Sequence, residues 1–166
     1  MYPPSQLGST DYDDEEERKK VEKACALKQW NILVERRKSE YAKIYKLIEQ
    51  SKFEAASAML SSLQTLYPPI EIQNVDFNDS EEKNKVSAFY SLRLWEAEVK
   101  KRKEEYVRIE ILLKKGEISK ASEELKTLRP LVAPNVSGIL FYDDNREKLK
   151  YQNRILKIQW DNDIKK

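Results

Sequence analysis

The chain has 166 residues, 36% of them charged and 40% hydrophobic, and its 31 basic and 29 acidic side chains leave a net charge of only +2. It contains no His, one Cys and three Gly. That composition removes histidine-based acid–base chemistry, most zinc and copper sites, internal disulfides and any glycine-rich phosphate loop.

Self-similarity organises the sequence. Shifting it by 65 positions aligns residues 2–66 with 67–131 without a gap, and 23 of the 65 pairs are identical. Residues 132–166 continue the register as a truncated third unit, with Pro134, Asp144, Glu147, Lys148, Lys150, Trp160, Lys165 and Lys166 in equivalent places. Trp30, Trp95 and Trp160 therefore lie 65 apart. A period of this length is the signature of a repeat architecture. Its third copy stops 35 residues in, which suggests a fragment of a longer array or an array closed by a half unit.

Each unit opens on a proline-led stretch, as in Tyr2-Pro3-Pro4 and Tyr67-Pro68-Pro69. Paired prolines fix φ and favour extended backbone. Next come Asp11-Tyr12-Asp13-Asp14, Asp76-Phe77-Asn78-Asp79 and Phe141-Tyr142-Asp143-Asp144. The last Asp of each precedes a Glu by three residues (Glu17, Glu82, Glu147), which predicts a capping box. Tyr12, Phe77 and Tyr142 then read as hydrophobic staples outside the cap.

A long helix follows, to about Gln50 in one unit and Lys115 in the next. Apolar residues at 27, 30, 34, 41, 44 and 48, and at 92, 95, 99, 106, 109 and 113, form a heptad seam. Arg37 and Arg102 interrupt it. Each either snorkels outward or forms an ion pair that fixes register, with Asp11, Asp76 or neighbouring linker acids as partners. Cys25, aligned with Tyr90, reads as a small core residue. Ser51 and Gly116 stop the long helix, Gly116 as a left-handed cap, and Ser51 with Glu54 reads as the cap of the next helix. That second helix is short, about 52–66 and 117–129, and is ended by Pro68 and Pro130. A connection this brief forces an antiparallel hairpin. The short helix covers only the C-terminal half of the long one. Val86, Phe89, Tyr90, Leu92 and Trp95 in the other half need cover from a neighbouring unit, the extended segment or a partner.

The expected fold is all-α: tandem αα-hairpin repeats, each a long and a short helix, joined by Pro-led extended linkers in a solenoid-like array. The units are 2–66, 67–131 and the truncated 132–166. A 65-residue period with unequal helices does not match the tetratricopeptide pattern.

No constellation for catalysis, cofactor or metal emerges, so the expectation is a non-catalytic scaffold that presents helical surfaces to a protein partner, without a small-molecule substrate. Phe89, Leu92, Trp95, Trp160 and Trp30 are the partner-binding candidates, because tryptophan anchors interfaces as readily as cores. The alternative is an anionic polymer, nucleic acid or an acidic filament, held by Arg36, Arg37, Lys38, Lys100, Lys101, Arg102 and Lys103. Interspersed glutamates weaken that ladder, and the balanced net charge is unlike a general nucleic-acid binder. No apolar run approaches a membrane span, and the start lacks a secretory pattern. With one unpaired Cys, the expected compartment is the cytoplasm or nucleus.

Overall fold

The computed structural model describes residues 14–166. The first proline-led linker, with Tyr12 and Asp11, lies outside the described residues. The described chain is all-helical: α1 (Asp14–Glu49), α2 (Phe53–Ser62), α3 (Asp79–Lys114), α4 (Ile118–Thr127) and α5 (Asp144–Ile164), with no strand among the described residues. Helices α1 and α3 have 36 residues each, about 54 Å at 1.5 Å per residue, whereas α2 and α4 have 10. None is long and apolar enough to cross a membrane.

The turn after each long helix follows from one left-handed residue. At Ser51 (φ 59°) the chain makes Ser51 N–H to Ile48 O and Lys52 N–H to Leu47 O bonds of 2.9 Å. Gly116 (φ 78°) repeats the pattern with Glu117 N–H to Leu112 O at 2.9 Å. Both are Schellman caps, which satisfy the last carbonyls and reverse the chain within three residues. Ser51 does not cap the following helix: Lys52 holds the N-cap position of α2 without a side-chain bond.

Two other expectations shift. The caps of α3 and α5 are Asn78 and Asp143, whose side chains accept from Glu81 N–H (3.2 Å) and Arg146 N–H (3.1 Å). Asp79 and Asp144, one residue later, are released from capping and are buried. The short helices also end before the prolines, at Ser62 and Thr127, with Leu63 and Leu128 already extended. The reason lies in tertiary structure: the backbone just beyond is engaged by buried side chains described below.

Three apolar clusters form the core. Tyr41, Ile44, Ile48 and Ala56 of the first hairpin enclose Val86 of α3, with Phe89 and Tyr90 packed alongside. Tyr106, Ile109, Leu113, Ala121 and Leu125 enclose Ile155 of α5 in the same way. The third joins Trp30 and Val34 to Ile72 of the extended connection. Of the residues in the first half of α3 that needed cover, Val86, Phe89 and Tyr90 receive it from the preceding hairpin, whereas Trp95 bonds to the extended segment that follows, through the Leu140 carbonyl. The two junctions are not identical. Tyr151 occupies the place corresponding to Val86 and stacks on Tyr106, centroids 5.0 Å apart and planes 5° apart. The helix spacing differs as well: no Cα of α5 lies within 8 Å of α3, whereas α1 and α3 approach closely.

Candidate functional site

Each long helix places an Arg and a Tyr one turn apart on its buried face, and both meet the first residue of the next long helix. Arg37 Nη1 pairs with Asp79 Oδ2, Tyr41 donates to Asp79 Oδ1 at 2.6 Å, and Leu66 N–H donates to Asp79 Oδ2 at 2.8 Å. Arg37 Nη2 donates to the Gln64 carbonyl at 2.8 Å. The second junction repeats the Arg, the Tyr and the helix-start Asp. Arg102 pairs with Asp144 and donates to the Arg129 carbonyl, and Tyr106 donates to Asp144 Oδ1 at 2.9 Å. Of the two readings of these arginines, the ion pair holds, but its partner is the helix-start Asp rather than Asp76. Guanidinium and carboxylate are both desolvated, so each satisfies the other's charge. The second terminal nitrogen of each Arg donates to backbone, Arg102 Nε donates to Glu105 at 3.2 Å, and Arg37 Nε, buried without a hydrogen bond, lies 3.5 Å from Glu40.

The environment also acts on the tyrosines. Burial, reinforced by the hydrogen bond to Asp79, pushes the Tyr41 hydroxyl up to about 12. Tyr106 is raised by the same causes, burial first and Asp144 second. Neither is disposed to act as a base or a nucleophile near neutral pH. Groups of His, Cys, Asp and Glu suited to a metal are absent among the described residues.

The tryptophans divide by location. Trp30 is 3% exposed, covered by Ile72, Val75, Leu66 and Phe77, with the Phe77 ring edge-on at 6.3 Å. Phe77 therefore packs on the preceding long helix rather than merely stapling its own. Trp95 is equally buried, and its Nε1 donates to the Leu140 carbonyl at 2.8 Å. Trp160, in contrast, is 66% exposed. Phe89 and Leu92 are half-buried, Phe89 against Tyr45 with centroids 5.1 Å apart.

Among the basic candidates, Arg37 and Arg102 are buried in the junctions and do not belong to a surface ladder. Arg36 and Lys38 are exposed but sit 3.5 Å from Glu40 and 3.6 Å from Glu35. Lys38 also lies 6.0 Å above Phe77, as Lys103 lies 5.7 Å above Tyr142. Lys100, Lys101 and Lys103 are exposed.

Comparison with protein-family models, with curated proteins and with solved structures finds no match to this chain. The site must therefore be read from its own geometry.

Two apolar faces are exposed, and of their residues the sequence had singled out only Trp160 as a partner-binding candidate. On α1, Ala24, Leu27 and Ile32 line a shallow groove with Lys28, Asn31 and Glu35. On α5, Leu156, Trp160 and Ile164 are all more than 60% exposed. Cys25 is exposed as well, not a core residue. It sits on the half of α1 whose equivalent in α3 is covered by a preceding hairpin, and no hairpin precedes α1 among the described residues.

Proposed function

We propose that the protein is a non-catalytic interaction scaffold, built as a solenoid-like row of αα-hairpin units and working in the cytoplasm or nucleus. One observation carries this reading: the same buried Arg–Asp–Tyr closure recurs 65 residues apart, while apolar faces stay open on α1 and α5. An array whose buried charges are paired at its internal joints and which exposes apolar side chains on α1 and α5 has surfaces to offer a partner. Trp160 is the anchor among the tryptophans, since Trp30 and Trp95 are committed to the core.

A second reading draws support from the exposure of Lys100, Lys101 and Lys103: an anionic polymer along α3. Affinity capture from lysate separates them. The scaffold reading expects a partner lost with Leu156→Asp or Ile32→Asp and little affected by salt. The polymer reading expects steep salt dependence and loss with Lys100→Gln, Lys101→Gln and Lys103→Gln together. Partner recovery indifferent to both sets would refute both.

A further inference from the structure

The two described linkers cover their tryptophans differently. In the first, Ile72 packs in the cluster of Trp30 and is 6% exposed, with the Phe77 ring edge-on to the indole. In the second, Ser137 stands in the place of Ile72, and the Leu140 carbonyl on the indole N–H fixes Trp95 instead. A cavity of about 180 Å³ lies beside Trp95, with Phe141, Tyr142, Asp143 and Asn145 also in its wall. Phe141 is 88% exposed at its rim, where the first linker carries Asp76. The cavity is not opened by a missing neighbour. At the first joint, which α3 and α4 follow in full, Asp76, Asn78 and Ser80 hold the equivalent positions and are exposed too.

The charges around this cavity select a cation. Asp144 is paired with Arg102, but Asp143 is exposed, has no ion-pair partner and spends one oxygen on Arg146 N–H. Burial, then the Asp144 and Glu147 charges, push the Tyr142 hydroxyl up to about 12, so carboxylates outweigh Arg102 at this wall. Lys103, 5.7 Å from the Tyr142 centroid, shows that ring accepting a cation, and it does not line the cavity. We propose that the cavity binds a methylated ammonium group, of the size and charge of a trimethylated lysine head. Aromatic faces attract such a cation through their quadrupole, and its methyl groups need no hydrogen bonds from the wall. A cavity of about 150 Å³ holds a benzene-sized molecule, so the volume suits this head as well. Trp95 forms the floor, Tyr142 a side and Phe141 the rim, while Asp143 supplies the charge. An unmethylated ammonium is a poorer ligand, because it leaves water with three donors and meets few acceptors here. The site is separate from the open faces of α1 and α5.

An NMR titration of the full chain tests this, following the indole N–H of Trp95 with that of Trp30 as internal control. The probes are acetylated trimethyl-lysine amide, its unmethylated form, choline, and the uncharged tert-butyl analogue of choline. The trimethyl-lysine amide should move the Trp95 signal saturably, leave that of Trp30 in place, and bind about tenfold more tightly than the unmethylated amide. Phe141→Ala, at an exposed position, should weaken it about tenfold. Asp143→Asn should do the same while keeping the helix cap, since Asn78 caps α3 from the equivalent position. Choline binding as tightly as the lysine derivative identifies a free quaternary ammonium as the ligand, and weaker choline binding identifies a side chain on a polypeptide. The proposal is overturned if Trp95 shows no saturable shift, or if the unmethylated amide binds equally. It is also overturned if the uncharged analogue binds as well as choline, or if neither substitution weakens binding. Any of these results leaves the scaffold reading standing, because lysate capture there depends on Leu156 and Ile32.

Discussion

Asp79 is where a single substitution reaches most of one junction. Its carboxylate takes the Arg37 guanidinium, the Tyr41 hydroxyl and the Leu66 amide, and the side chain is buried. Asp79→Ala leaves Arg37 charged in a site with little water. Removing one partner of a buried ion pair costs roughly 3–5 kcal/mol, mostly from the stranded charge. The orphaned hydroxyl and amide push in the same direction, although losses within one network do not add. Against a total stability of roughly 5–15 kcal/mol, such a loss is a large part of the whole. Urea unfolding followed by circular dichroism measures it. A cycle with Arg37→Met identifies the cause: Arg37→Met combined with Asp79→Ala should lie about 1–3 kcal/mol closer to wild type than the sum of the two single effects. Additive singles, or an Asp79→Ala effect below about 1 kcal/mol, would show that the pair is not a structural lock.

Further expectations follow from the same geometry. Because the folded-state hydroxyl of Tyr41 titrates near 12 against an ordinary 10.0, its contribution is complete below pH 10 and is lost as pH rises towards 12. The melting temperature should fall over that window, less steeply in Tyr41→Phe, with tyrosinate absorbance reporting the titration. Trp30→Ala removes the centre of the third cluster and should cost about 3–5 kcal/mol in urea unfolding. At the hairpin turns, Gly116→Ala meets no steric neighbour and is opposed by its positive φ alone, for a loss of about 1 kcal/mol, whereas Ser51→Gly should stabilise slightly. Cys25 should react with a maleimide in the native state as fast as in urea, since it is exposed.

The sequence carried the helices because hydrophobic period and repetition reported the same thing twice. Trp30, Val34, Tyr41 and Ile44 recur at 95, 99, 106 and 109, so chance coincidences cancel and the seam remains. The anomaly at Arg37 and Arg102 was visible for the same reason. Its partner was not. Two adjacent acidic or amide residues at each helix start can both cap it, and only the backbone decides that Asn78 caps and Asp79 turns inward. The early end of α2 left no local trace either, because the Gln64 carbonyl is claimed from across the hairpin by Arg37. Exposure was the least legible property. Trp160 has the sequence signature of Trp30, and Cys25 that of Tyr90. What differs is the neighbour, which a local pattern does not encode.

Asp79 touches both ends of one loop: Leu66 N–H where the short helix has ended, and its own helix start. The chain between is closed at its base by a single carboxylate. A closed base decouples the length of the loop from the placement of the two helices, and lengthening a loop raises its closure entropy only logarithmically. Residues Tyr67–Pro69, ahead of the Ile72 anchor, are therefore where an inserted sequence could be carried without moving either hairpin. Copies of this unit could diverge there in length while keeping a common joint.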